Sequence, residues 1–254
     1  LDLNFGVKEE NLISKHPSLL ELANYVKENR NQEKIGNLNW KEIINKDTDA
    51  KLPSSSFLAI ILKFISCILF NTFFRVKVKG KEKIEMDKPT IYVANHQSFL
   101  DGFLFNYAVP SKLVKKTYFL ATVAHFKSSI MKSFANSSNV VLVDINKDIA
   151  EVMQILAKVL KEKKNVAIYP EGLRTRDGKM NKFKKSFAIL AKELNVDVQP
   201  YVIRGAYELF PTGKKFPKPG KISVEFLDKI KVEDLSYDEI VDKSYKAIEE
   251  KLTK

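Results

Sequence analysis

Two stretches of this sequence hold residue types that can carry chemistry. The first is Asn95-His96-Gln97-Ser98-Phe99-Leu100-Asp101. A histidine titrates near neutrality and can take a proton from a hydroxyl. A carboxylate on its other ring nitrogen fixes the tautomer and stabilises the imidazolium. Asp101 lies five residues on and can fold back to His96; the same spacing also fits an ordinary surface pair. Ser98 lacks the G-x-S-x-G elbow of a serine hydrolase. With no H-E-x-x-H pair and one cysteine, a zinc site is excluded. The second stretch is Tyr169-Pro170-Glu171-Gly172-Leu173-Arg174-Thr175-Arg176. Gly172 allows a tight turn or a close ligand approach. Arg174 and Arg176 offer planar forks suited to phosphate. Glu171 can orient an arginine or a substrate hydroxyl. The plainer reading of this stretch is a strand-to-loop turn with an ion pair.

Each stretch follows an apolar run, Ile91–Ala94 and Val166–Ile168, and so is expected at the C-terminal edge of a strand, where α/β folds place sites. Strand patterns fall at Arg75–Val78, Thr90–Ala94, Lys116–Leu120, Val140–Val143, Asn165–Tyr169, Asp197–Ile203 and Lys221–Phe226. Helical patterns fall between them at Phe99–Ala108, His125–Ser133, Ile149–Glu162 and Lys184–Leu194. Ser236 and Glu239 form a capping box ahead of a last helix, Tyr237–Leu252. This alternation predicts an α/β domain, an αβα sandwich around a largely parallel mixed sheet.

Ahead of that domain, residues 1–31 read as a short helical segment and residues 32–55 as a polar linker anchored by Trp40. The Ser54–Ser56 run is expected to cap the next helix. The domain then spans residues 56–254, opening with an apolar helix over Phe57–Phe74 in which Lys63 is the one charge. Arg75, Lys77, Lys79, Lys81 and Lys83 follow at once. The apolar run is short for a spanning helix, which needs about 20 residues. Shallow embedding at an anionic membrane surface fits better, and a buried core helix is the plain alternative. No signal peptide pattern is present at residues 1–30, and Cys67 alone rules out an internal disulfide.

The 254 residues are 44% hydrophobic and 29% charged, enough for a sizeable core. The net charge of +12 is uneven: residues 1–50 carry −2 and the remainder +14. A body this basic suits an anionic partner, whether nucleic acid, membrane or a phosphorylated substrate. No nucleic-acid-binding motif interleaves the lysine runs. His16 and His125 read as ordinary histidines and Cys67 as packing.

The two stretches together resemble the glycerolipid acyltransferases, the family of 1-acylglycerol-3-phosphate acyltransferases, whose signatures are N-H-x-x-x-x-D and F-P-E-G-T-R-S. Asp177–Lys185, Val198–Ile203 and the Gly205…Pro211 block continue the likeness, which covers residues 75–230. The resemblance implies His96 as general base on an acceptor hydroxyl and Asp101 as its orienting partner. Asn95, Glu171, Gly172, Leu173, Arg174 and Arg176 would bind substrate, with Arg174 on the acceptor phosphate. The fatty acyl group would come from an acyl-carrier or acyl-CoA thioester, with no metal or organic cofactor. The implied acceptor is a lysophospholipid. Three departures stand out. Leu173 replaces the family's threonine. Thr122 stands where a phosphate-binding lysine is usual. Val143-Asp144-Ile145-Asn146-Lys147 lacks an arginine, leaving Lys147, Lys115 or Lys116 as substitutes. Residues Phe5–Val26 resemble the end of an acyl carrier domain, as in a fusion of ligase, carrier and acyltransferase. The expected partners are membrane phospholipids and a carrier or CoA, not nucleic acid, at the cytoplasmic face of a membrane. A catalytically silent lipid-binding domain and a basic nucleic-acid-binding module are the alternatives.

Overall fold

The structure, a computed structural model, describes residues 38–53, 57–123, 126, 128–143 and 149–253. The carrier-like segment 1–31, the Ser54–Ser56 cap, His16, His125 and Asp144–Lys147 lie outside these residues. The chain divides into two compact units, residues 1–43 and 44–254. Asn39 Oδ1 accepts the Glu42 amide at 3.3 Å, opening helix α1, Trp40–Asn45, whose last two residues are counted in the second unit. This helix falls inside the stretch read as linker.

The second unit begins with α2, Phe57–Thr72, and β1, Lys77–Lys79. There follow β2 (Ile91–Ala94), α3 (Asp101–Ala108), α4 (Ser111–Val114), β3 (Thr117–Thr122), α5 (Ser129–Asn136) and β4 (Val140–Val143). The chain continues through α6 (Ile149–Lys161), β5 (Asn165–Ile168), α7 (Ser186–Glu193), β6 (Val198–Arg204), α8 (Ala206–Leu209), β7 (Ser223–Phe226) and α9 (Tyr237–Leu252). Every strand expected from sequence forms, with ends shifted by up to two residues. The capping box is present: Ser236 Oγ accepts the Glu239 amide at 3.2 Å, and Glu239 Oε2 accepts the Ser236 amide at 2.8 Å.

The sheet order is β1-β7-β6-β2-β5-β3-β4. All neighbours are parallel except β6 and β7. β2, and β5 after its buried Asn165, are apolar on both faces and fully buried, as strands covered by helices on both sides must be. On one face Tyr92, Ala94, Ala167, Tyr201 and Phe226 meet Leu104 and Phe105 of α3 and Phe70 of α2. On the other, α6, α7 and α9 contribute Leu156, Phe187, Leu190 and Ile248. The result is the αβα sandwich that the alternation predicts.

The polar stretch from Ile44 to Pro53 is held by side chains of this same unit. Lys161 Nζ donates to the Ile44 carbonyl at 2.8 Å, and Lys158 Nζ to those of Thr48 and Ala50 at 3.0 Å each. The Tyr118 hydroxyl donates to the Pro53 carbonyl at 2.8 Å. Ammonium-to-carbonyl bonds leave no apolar periodicity, which is why sequence marks these residues as linker.

α2 presents two different faces. One packs on α3: Phe70 sits edge-on to Tyr107, ring centroids 5.5 Å apart, and the Tyr107 hydroxyl donates to Asn71 Oδ1 at 2.7 Å. On this face Lys63 donates to the Val109 carbonyl at the C-terminus of α3, where a helix dipole favours a cation. Burial pushes the Lys63 ammonium below its ordinary pKa. The other face exposes Phe64, Ile65, Ile68 and Leu69. Among the described residues no helix is long and apolar enough to cross a membrane. Replacing Lys63 by Met keeps the packing volume but leaves the Val109 carbonyl without its donor. Urea unfolding is expected to show a loss of about 1–2 kcal/mol; an unchanged midpoint would show that the carbonyl finds another partner.

Candidate active site

β2 and β5 are neighbours, with Ile91 opposite Val166 and Val93 opposite Ile168. That register is an offset of 75 residues. His96 and Glu171 keep the same offset past the strand ends, and the His96 amide donates to Glu171 Oε1 at 2.7 Å. Strand adjacency therefore closes the gap between the two sequence stretches. Asn95 ties the same strand end to β6: its Nδ2 donates to the Ile203 carbonyl at 2.8 Å and its Oδ1 accepts the Ile203 amide at 2.9 Å. It is buried and engaged with backbone through both ends of its amide.

Asp101 is the first residue of α3 and its side chain is wholly buried. One oxygen, Oδ2, faces three donors: His96 Nδ1 at 2.8 Å, the Gln97 amide at 2.7 Å and the Ser98 amide at 2.9 Å. Oδ1 has no hydrogen-bond partner among the described residues. The Asp101 side chain stands at the N-terminus of α3. Its contact with Nδ1 sets the ring proton there and leaves the Nε2 lone pair to act. The His96 side chain is 21% exposed, so a substrate can reach it. Its ring stacks on Tyr169, centroids 4.3 Å apart and planes at 14°. The Tyr169 hydroxyl lies 3.2 Å from that of Tyr201, and burial pushes both phenols well above their ordinary pKa.

Glu171 is buried and uses both oxygens on the chain itself. Oε1 takes the His96 amide; Oε2 takes the Asn181 amide at 2.8 Å and Asn181 Nδ2 at 2.9 Å. The His96 carbonyl in turn accepts the Thr175 amide at 2.9 Å. His96 is thus gripped on both sides of its backbone by the second stretch. Gly172 closes the turn between them, its amide donating to the Tyr169 carbonyl at 3.0 Å. Its φ of +77° suits glycine, and a Cβ there would lie 2.8 Å from Lys184 Nζ.

Leu173 is exposed, as is Phe99, whose ring lies 6.0 Å from the Arg174 guanidinium. Arg176 is exposed, and its carbonyl accepts the Tyr207 hydroxyl at 2.7 Å. Thr122 ends β3 on the edge that carries His96. Lys115 and Lys116 precede β3 and lie at the opposite edge, which removes them as substitutes for a cation beside His96. Lys147 lies outside the described residues. The cation found against the turn is Lys184, which sequence reading left unassigned. Tyr169, Thr175 and Asn181 were also missed. Tyr169 gave a faint signal, an aromatic residue directly after a strand that ends beside His96. Among the described residues no three His, Cys, Asp or Glu side chains converge as metal ligands.

Burial pushes the Glu171 pKa above its ordinary 4.5, against the opposing pull of the Asn181 and His96 hydrogen bonds. A raised folded pKa means that the native state holds the proton more tightly than the unfolded chain. The contribution of this group to stability is therefore full below pH 4.5 and declines as pH rises through the raised value. The difference in Tm between wild type and Glu171→Gln should fall in that direction. Gln keeps one acceptor for the His96 amide but turns an NH₂ toward Asn181, or the reverse. Activity is expected to drop about 10–100-fold with the fold retained. Full activity in Glu171→Gln would show that the grip on His96 is dispensable.

A family model described as Acyltransferase matches residues 75–204. A 1-acyl-sn-glycerol-3-phosphate acyltransferase of Chlamydomonas reinhardtii is 32% identical over 164 residues, 63% of this chain and 48% of that protein. A chloroplastic 1-acyl-sn-glycerol-3-phosphate acyltransferase of Arabidopsis thaliana is 29% identical over 167 residues, 63% of this chain and 44% of that protein. This chain spans about half the length of these two relatives. The crystal structure of the 1-acyl-sn-glycerophosphate acyltransferase PlsC from Thermotoga maritima superposes with a TM-score of 0.64 at 25% identity, covering 78% of this chain and 81% of that one. The strands β2, β5 and β6 and the two loops that grip His96 all fall within the matched residues, and the chain belongs to the acyltransferase family.

Proposed function

We propose that this protein transfers a fatty acyl group from a thioester to the free hydroxyl of a lysophospholipid. The observation that carries this reading is His96, held by Asp101 at Nδ1 and free to act at Nε2. Nε2 takes the acceptor's hydroxyl proton as its oxygen attacks the thioester carbonyl. The tetrahedral intermediate then collapses, the C–S bond breaks, and the imidazolium returns the proton to the departing thiolate. No acyl-enzyme forms, and no metal or organic cofactor takes part. Arg174 and Arg176 follow Gly172 in the second stretch, Lys184 lies against that turn, and the three would hold the acceptor phosphate, Lys184 standing in for the family lysine that Thr122 replaces. Asn95 and Glu171 act on this reading by positioning the loop rather than by touching substrate, because their polar atoms are engaged with backbone.

The relatives named above are acyltransferases of 1-acyl-sn-glycerol-3-phosphate, which supports that lysophospholipid as the first acceptor to try. The loss of the family's lysine and threonine makes a larger headgroup a credible second. For the donor, the carrier-like sequence Phe5–Val26 supports a tethered acyl carrier, and acyl-CoA is the simpler choice. The protein would work as a peripheral enzyme at the cytoplasmic face of a membrane.

The test is acyl transfer to a lysophospholipid panel, read by mass spectrometry, with acyl-CoA and acyl-carrier donors compared. Wild type is expected to form a diacyl product. His96→Ala is expected to lower kcat by about 10³-fold, within the range of general-base catalysis, with an unchanged circular dichroism spectrum. Lipid binding without product would favour a silent lipid-binding domain, and tight duplex DNA binding without product would favour a nucleic-acid module.

A further inference from the structure

Between α8 and β7 the chain runs from Phe210 to Lys221 and holds three prolines, Pro211, Pro217 and Pro219, with lysines at 214, 215, 218 and 221. Its base is fastened on several sides. Ser98 Oγ donates to the Phe210 carbonyl at 2.8 Å, and Thr212 Oγ1 to the Thr175 carbonyl at 3.3 Å, so both stretches that build the site hold it. The Lys218 amide donates to the Leu209 carbonyl at 2.8 Å, and the Gly220 amide to the Phe73 carbonyl at 3.2 Å, just past the end of α2. Gly220 lies so close under Leu209 that a Cβ would meet its Cδ2 at 2.4 Å. At the tip, Phe216 is 82% exposed, more than any other large apolar side chain described.

We propose that this loop is a second bilayer contact, in which Phe216 enters the interfacial region of an anionic membrane and the flanking lysines meet headgroup phosphates. The proposal rests on the lysophospholipid reading and adds to it the element that seats the site on its substrate's own surface. Three observations favour a bilayer. An exposed phenylalanine flanked in sequence by exposed lysines matches a surface that is apolar inside and anionic outside. The base of the loop is hydrogen-bonded to Phe73, just past the helix whose free face is Phe64, Ile65, Ile68 and Leu69, so two elements with exposed apolar side chains are fastened to each other. The prolines and the hydrogen-bonded base keep the tip ordered before it binds, which limits the entropy lost on insertion. A phosphate backbone would match the lysines but not this apolar surface.

The test uses the whole chain and vesicles of phosphatidylcholine alone or with phosphatidylglycerol. Wild type is expected to bind the phosphatidylglycerol vesicles, and Phe216→Ser to bind them about tenfold more weakly, as the loss of one inserted aromatic implies. A second variant, Phe216→Trp, adds a reporter to a chain with one native tryptophan, Trp40. Its emission should shift blue on these vesicles and be quenched by brominated acyl chains. Transfer to a short-chain, monomeric lysophospholipid separates the two readings: Phe216→Ser should match wild type within about twofold, since the residue lies outside the catalytic machinery. If wild type itself transfers nothing, the activity fails while vesicle binding still reports on the loop. Equal vesicle binding by Phe216→Ser, or no spectral change in Phe216→Trp, would overturn the proposal. Equal weakening of duplex DNA binding by Phe216→Ser would do the same and assign the loop to nucleic acid.

Discussion

A carboxylate removed from water must be compensated where it lies, and Asp101 is compensated through a single oxygen. Three donors converge on Oδ2, two of them backbone amides at the start of a helix. Hydrogen bonds to a charged group contribute about 1.5–3 kcal/mol each, so no other conformation of residues 96–101 competes easily. The loop must fold back, and folding back brings the imidazole against the carboxylate. Satisfying the buried carboxylate and orienting the imidazole are the same event.

The rest of the second unit keeps that event in place. β2 and β5 lie side by side, so Glu171 reaches the His96 amide with its own strand register, and Thr175 takes the carbonyl. Among the described residues Asp101 and Glu171 are the buried acidic side chains, and each is spent on the backbone around one histidine. Tyr169 supplies the floor beneath the ring. At the far end of α3, Lys63 satisfies a terminal carbonyl, so the helix that begins with Asp101 ends on a cation from α2. The apolar helix is thereby coupled to His96 through one short helix.

The sheet was legible because strand periodicity and helical periodicity alternate cleanly from residue 75 onward. The His96–Asp101 pair and the Tyr169–Arg176 turn were legible as types at a spacing. Their partners were less so. That Glu171 would reach the His96 amide depends on strand order, which one chain's pattern does not reveal. Lys184 reaches the turn from thirteen residues downstream of Glu171 only because the loop from Asn181 doubles back. Lys115 and Lys116 illustrate the converse: they are close in sequence to a strand of the site, but before it rather than after it. Residues 44–53 read as linker because lysine ammonium groups hold them, and such bonds carry no periodic signature.

The exposed stripe on α2 and the exposed tip at Phe216 have a colloidal consequence. Such surfaces favour association between copies of the chain, and a net charge of +12 opposes it. Ionic strength then acts in opposite senses on two fates of the same molecule. Added salt shortens the reach of the lysines, to about 8 Å at physiological concentration, which would loosen the proposed hold on an anionic surface. The same screening removes the repulsion between copies and lets their apolar faces meet. With the bilayer contact proposed above, dilute buffer would favour the protein on a membrane, and concentrated salt the protein on itself.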